Sequence, residues 1–199
     1  MRDIFLYTTP LDPRAKPLIE DLIHEYDSRY GNYFSEEGAA AELNRYAPEA
    51  FAPPVGNFLL LMRDGETIAG GAFKAYDSRT AEFKRIWTRP DLRRQGLARK
   101  LLVELEAQAA RQRYERVYLT TGFRQPEAVG LYLRYGYTAL FDLEADPEIH
   151  KILPFEKDIR HLAETVPGES AIGEPALPGE AASLHVARKD NPQGDAAWH

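Results

Sequence analysis

The sequence predicts a mixed α/β domain, on three observations. Short runs rich in β-branched and aromatic residues alternate with stretches of helical periodicity. Asp64-Gly65 joins two of those runs as a hairpin turn signal. After Arg160 the texture changes, as Pro167, Gly168, Gly173, Pro175, Pro178, Gly179, Pro192 and Gly194 break every pattern. The domain is therefore expected over residues 1–159, with an irregular or disordered Pro/Gly-rich tail over residues 160–199.

Each element has its own signal. Ile4 to Tyr7 reads as a first short strand, closed by Pro10, Asp12 and Pro13. Leu18, Ile19, Leu22, Ile23 and Tyr26 share one helical face, which predicts a helix from about Pro13 to Ser28. Gly31 to Glu37 is an aromatic and polar loop, Ala39 to Tyr46 a second short helix, and Pro48 to Gly56 a Pro-rich connection. Phe58 to Arg63 and Thr67 to Ala75 are the hairpin strands, and Ala81 to Thr88 is the next strand, broken by Pro90. Leu97, Leu101, Leu105 and Ala109 recur every four residues in a helix from Gly96 to about Gln112. Arg116 to Thr121 is a strand. Pro126 to Tyr135 is a helix that Pro opens and Gly136 closes. Tyr137 to Leu143 and Ile149 to Asp158 complete the order β-α-α-β-β-β-α-β-α-β-β.

Composition narrows the classes of function. No apolar run approaches the ~20 residues of a membrane span, and Met1 to Phe5 lacks the succession of a signal peptide, so a cytoplasmic protein is expected. With no cysteine there are no disulfides, thiolate metal sites or cysteine nucleophiles. The five histidines are scattered, so no metal is expected. A net charge of -6 argues against a nucleic-acid partner. Yet Lys84, Arg85, Arg89, Arg93, Arg94, Arg99 and Lys100 crowd together against a single acid, Asp91. A basic patch on an acidic chain fits a small polyanionic ligand, or simply a solvated face.

The patch includes the mouth of a predicted helix. A helix N-terminus exposes amide hydrogens without internal partners, and its dipole favours an anion. Gly96 removes the side chain where a phosphate must approach, Ala98 keeps the next position small, and Arg93, Arg94 and Arg99 add charge. Neither Gly-x-x-x-x-Gly-Lys-Ser/Thr nor Gly-x-Gly-x-x-Gly is present. A Gly-x-Ser-x-Gly elbow is also absent.

Arg93-Arg94-Gln95-Gly96-Leu97-Ala98 resembles the Arg/Gln-x-x-Gly-x-Gly/Ala signature of the GNAT acyltransferases. Glu82 to Pro90 looks like that family's fourth strand. Gln125-Pro126-Glu127-Ala128-Val129-Gly130-Leu131-Tyr132, followed by Tyr135-Gly136-Tyr137, looks like its later Asn/Gln-x-x-Ala-x-x-Leu-Tyr segment. The resemblance implies a three-layer fold, with a mostly antiparallel twisted sheet of about seven strands and helices on both faces. It implies acetyl-CoA as co-substrate. The amides from Arg94 through Gln95, Gly96, Leu97 and Ala98 to Arg99 would hold the pyrophosphate. The backbone of Ile86, Trp87 and Thr88 would pair with the pantetheine arm as a further strand, and Gln125, where the family usually has Asn, would contact it.

For chemistry the resemblance points to Tyr132 as the acid that protonates the leaving thiolate; a phenol with an ordinary pKa of about 10 carries that proton at neutral pH. Glu82 is the candidate base. It lies six residues before Thr88, and strict alternation would put both on one strand face. Thr120 stands where other family members place a Glu, which argues against that variant. The loop aromatics Tyr26, Tyr30, Tyr33 and Phe34, near Pro53-Pro54, imply a compact acceptor, and Lys84 and Arg124 would meet a carboxylate. The expected reaction is N-acetylation of an amino acid or related small amine by direct attack in a ternary complex. A peptide or protein acceptor and a non-catalytic acyl-CoA sensor are the alternatives, and a homodimer using the tail is open.

Overall fold

The computed structural model describes residues 2–34 and 38–163. Its seven strands form one sheet: β1 (Asp3–Thr8), β2 (Asn57–Arg63), β3 (Glu66–Ala75), β4 (Thr80–Thr88), β5 (Arg116–Gly122), β6 (Thr138–Ala139) and β7 (Ile152–Asp158). The longer helices are α1 (Lys16–Tyr30), α2 (Gly38–Leu43), α3 (Leu97–Arg111) and α4 (Pro126–Arg134). Single turns α5 (Pro147–His150) and α6 (Arg160–Ala163) follow. The spatial order is β1-β2-β3-β4-β5-β7-β6, and only β4 and β5 run parallel. The fold is the predicted mixed sheet with helices on both faces.

Alternation along the strands builds the two layers of core. Phe58, Leu60 and Met62 of β2 face α1 and α2, packing with Leu18, Leu22, Tyr26 and Leu43. Leu59 of β2, Phe73 of β3 and Phe83 of β4 face the other way, against Leu101, Leu105 and Ala109 of α3 and Tyr132 of α4. The helices are thus amphipathic because each covers one side of a sheet that is buried on both. The predicted hairpin is present, with Arg63 opposite Glu66 and both turn residues, Asp64 and Gly65, at positive φ.

Three boundaries differ from expectation. The strand predicted over Tyr137 to Leu143 shrinks to Thr138–Ala139. The Asp142 carboxylate then accepts the Glu144 amide, an Asx-type turn that ends pairing. The strand predicted from Ile149 begins only at Ile152. Asp146 caps the α5 turn through the Glu148 amide, with Pro147 at its first position. The helix predicted to Tyr46 stops at Leu43. The tail expected to be irregular from residue 160 starts with the turn Arg160–Ala163; residues 164–199 lie outside the described residues, as do residues 35–37 of the predicted loop.

A buried ionic lock holds α3 to the far end of the sheet. Glu106 of α3 accepts the Tyr137 hydroxyl at 2.8 Å and both its oxygens accept Lys157 Nζ of β7 at 2.8 Å. Removing one member strands a buried charge, which costs more than the pair contributes. Glu106→Ala is expected to lower unfolding stability by about 3 kcal/mol. Denaturant titration of Glu106→Leu combined with Lys157→Met checks the cause: the pair should recover most of that loss.

Candidate active site

β4 starts beside β5 and then leaves it. The two pair only at Thr80↔Arg116, Ala81↔Val117 and Glu82↔Tyr118. β5 continues with β7 to Gly122, and β4 continues with β3 to Thr88. From Phe83 onward the β5-facing edge of β4 therefore has no strand beside it. Backbone amides and carbonyls on such an edge need partners, and an extended ligand carrying amides can supply them.

A cavity of about 730 Å³ occupies the space beside that edge. Ile86, Trp87 and Thr88 line one wall. Arg93, Arg94, Gly96, Leu97, Ala98 and Arg99 form one end. Gln125, Ala128 and Tyr132 line the wall made by α4, while Leu22 and Glu25 of α1 complete the enclosure. Of the residues predicted to hold a cofactor, Gln95 alone does not line it.

The end wall is a polyanion cradle. Gly96 caps α3 at φ 79° and Arg94 sits at φ 64°, so the chain turns tightly just before the helix. Among the described residues the amides from Arg94 to Arg99 donate no hydrogen bond, the first intrahelical contact here being Lys100 to Gly96. The orphan amides and the helix dipole point the same way, toward an anion. Arg94, Arg99 and Arg134 on this rim have no carboxylate within ion-pair distance among the described residues. Arg93 is engaged differently: it reaches Glu25 of α1 at 3.0 Å, and Arg29 joins Glu25 (2.9 Å) to Glu127 of α4. That network crosses from α1 to α4 and neutralises the two carboxylates lining an anion site.

Gln125 is fixed by its neighbours. Its Oε1 accepts the Thr121 hydroxyl at 2.9 Å and the Gly122 amide at 3.1 Å. A backbone N–H can only donate, so the carbonyl end faces it and the Nε2 donors are turned away. Gly122 is glycine because a Cβ there would meet the hydroxyl of Tyr30. Tyr30 in turn accepts the Arg124 amide at 3.1 Å.

Tyr132 of α4 also lines the cavity. It is buried, its ring touches Tyr137 and Phe155, and burial raises its pKa well above the usual phenol value. Its proton is therefore retained throughout the neutral and mildly alkaline range.

Glu82 is placed otherwise than strict alternation requires. Between Gly70 and Ala72 the β3–β4 register shifts, and Arg85 takes φ 60°, so an extra residue bulges from β4. Beyond the bulge the faces exchange: Trp87 packs with the α1 layer and Ile86 with the α3 layer. Glu82 consequently shares a face with Trp87, and the expected common face with Thr88 is corrected. Glu82 is buried, with Lys74 Nζ at 2.6 Å and Lys84 Nζ at 2.9 Å, and is not among the residues lining the cavity. Lys84 lies over Tyr46 in the same cluster, apart from the other predicted acceptor residues.

Those others do come together. Tyr30, Tyr33, Phe34 and Phe123 form a set of edge-on and tilted rings with centroids 4.9 to 6.2 Å apart. The Arg124 guanidinium lies 4.9 Å from the Phe123 centroid and 5.9 Å from that of Tyr30. Sequence reasoning missed Phe123, Glu25, Lys74 and Arg85. The one available signal for the bulge was Gly70-Gly71 in mid-strand, a pairing that often marks an irregular ladder. Among the described residues no group of three His, Cys, Asp or Glu side chains is arranged to hold a metal, and no helix is long and apolar enough to cross a membrane.

A profile of the Acetyltransferase (GNAT) family matches residues 19–137. A comparison with curated protein sequences returned no match. Among solved structures, the chain is similar to a Klebsiella pneumoniae subsp. pneumoniae protein provisionally described as an acyl-CoA N-acyltransferase. The TM-score is 0.60 and the identity 25%, over 79% of this chain and 97% of that one. PaiA N-acetyltransferase from Thermoplasma acidophilum, in complex with coenzyme A, aligns at TM-score 0.58 and 17% identity, over 79% and 99% of the two chains. A GNAT family acetyltransferase from Elizabethkingia anophelis with acetyl-CoA bound aligns at TM-score 0.54 and 17% identity, over 78% and 97%. At 17% identity the last two speak for the fold.

The cradle makes a direct prediction. Gly96→Val forces a β-branched residue into the left-handed region, so the turn that presents the orphan amides has to shift. Losing one or two charge-assisted hydrogen bonds weakens coenzyme A binding by about tenfold or more. Isothermal titration of wild type against Gly96→Val reads this directly.

Proposed function

The chain belongs to the Acetyltransferase (GNAT) family, and from that premise we propose that it carries the acetyl group of acetyl-CoA to the primary amine of a small molecule, by direct attack in a ternary complex. The observation that carries this reading is the continuous path from the orphan amides of Arg94 to Arg99, along the unpaired edge of β4, to the buried hydroxyl of Tyr132. Acetyl-CoA supplies the thioester; everything else is done by the protein.

In this reading the amides of Arg94 to Arg99 hold the pyrophosphate, with Arg93, Arg94 and Arg99 around it. Ile86, Trp87 and Thr88 pair with the pantetheine arm through their backbone, and Gln125 donates to it through Nε2. The acceptor nitrogen forms its bond to the acyl carbon, and the carbon–sulfur bond breaks. Tyr132 gives its hydroxyl proton to the departing sulfur. Glu82 receives the proton lost by the amine, relayed by water from the cavity to the other face of the sheet. For this it must loosen one of its two lysine contacts. The cluster of Tyr30, Phe34 and Phe123 with Arg124 suits a compact acceptor better than an extended chain.

Release of coenzyme A thiol, followed across amino acids, polyamines and aminoglycosides, tests the reading. Turnover of a small amine is expected; activity confined to peptide N-termini or protein lysines would overturn it. Tyr132→Phe should lower kcat by about a hundredfold with the KM for acetyl-CoA unchanged. The sign of the pH dependence follows from the raised pKa. The acid works when protonated, so raising its pKa extends the active range upward. Activity should not fall between pH 8 and 10 through loss of this proton, which a pH–rate profile with an amine of known pKa checks.

A further inference from the structure

Among the described residues, the buried cation at the β4 bulge, Arg85, has no counter-ion. Arg85 is only 6% exposed. Its Nη2 donates to the carbonyl of Leu43 at the end of α2, and the guanidinium lies 4.5 Å from the Phe51 ring centroid. Its Nη1 has no hydrogen-bond partner, and no carboxylate among the described residues lies within ion-pair distance. Burial lowers its pKa to about 10, so the group is still charged at neutral pH. A guanidinium is planar, with donors on two edges, and here one edge is used while the other is not. Lys84 and Lys74 stand on the same face of the sheet, both already on Glu82.

Position ties this cation to the chemistry. Arg85 immediately precedes Ile86, Trp87 and Thr88, the cavity wall. The bulge brings the side chain to the α1–α2 face, the face that carries Glu82, instead of the α3 face that strict alternation would give it.

We propose that Arg85 is the specificity-determining residue for the acceptor, its unused Nη1 edge receiving a carboxylate carried by the amine substrate. The substrate class is then amino acids, with the amine directed at the thioester and the carboxylate at the bulge. The proposal rests on the amine-acetylation reading above and narrows it. It replaces Lys84 and Arg124 as the carboxylate's partner: Lys84 is committed to Glu82, and Arg124 lies exposed on the aromatic cluster. The Nη1 end is enclosed and Arg85 is not itself among the residues lining the cavity, so for a carboxylate to reach it the α2 turn that Leu43 ends must move aside.

The test pairs each of a panel of α-amino acids with the amine left by removal of its carboxyl group, using the full chain and saturating acetyl-CoA. Wild type should show kcat/KM about tenfold or more higher for the acids. Arg85→Met should erase that preference through the KM for the acid, leaving the decarboxylated amines and the KM for acetyl-CoA unchanged. Arg85→Lys should restore part of it. Equal turnover of both members of each pair by wild type, or an equal fall for both in Arg85→Met, would overturn the inference while leaving amine acetylation standing. If no amine releases thiol, it is that broader reading that fails. Arg85 is then judged by thermal shift with N-acetylglycine against N-acetylglycinamide. A carboxylate-dependent shift in wild type that Arg85→Met abolishes upholds the site, and no shift overturns it.

Discussion

The whole arrangement depends on how briefly β4 and β5 stay together. Two parallel strands that pair from Thr80 to Glu82 and then part leave a wedge in the middle of a sheet. A wedge in a sheet would ordinarily collapse, since unpaired backbone groups are costly away from water. Here it is held open by what lies on either side. β4 remains on the β3 ladder as far as Thr88, and β5 remains on β7 as far as Gly122. Helix α3 grows from the wide end and α4 covers one face, so the cavity is bounded by the elements that keep the strands apart.

The parallel step itself follows from topology. β4 and β5 are consecutive in sequence, and a helix between parallel neighbours is the usual connection. That places the N-terminus of α3 at the wide end of the wedge. Orphan amides, splayed edge and Tyr132 are therefore not three separate adaptations. They are positioned by one connection, with the Glu106–Lys157 pair anchoring α3 at its other end.

Much of this was legible in the residues. The four-residue spacing of Leu97, Leu101 and Leu105 gave α3, and the Arg-rich run ending at Gly96-Leu97-Ala98 gave its anion-facing start. Helix α4 and the strand boundaries of β2 to β5 were read to within about two residues. Alternation failed at one point, because it counts residues and a bulge adds one. Glu82 therefore faces a different neighbour from the one alternation predicts, and in the sequence Arg85 is indistinguishable from the rest of a basic run. Exposure is not written in a charge pattern: Arg85 and Lys84 are buried, whereas Arg94 and Arg99, in the same run, are exposed. The last strands are shorter than their composition predicts for a related reason. Tyr137 to Leu143 has the composition of a strand, but Asp142, Asp146 and Pro147 offer the chain local hydrogen bonds that compete with pairing.

The rim of the cavity also shapes how an anion approaches it. The chain carries a net charge of -6, while the mouth presents Arg94, Arg99 and Arg134. Beyond roughly 8 Å, the screening length at physiological ionic strength, a polyanion is shielded from both. Within it, the local arginines dominate the repulsive remainder. The acids nearest the site, Glu25 and Glu127, are already spent on Arg93 and Arg29, so they contribute little to the field at the entrance. Selection of a highly charged ligand by an acidic protein thus happens in the last few ångströms, where cellular salt no longer intervenes.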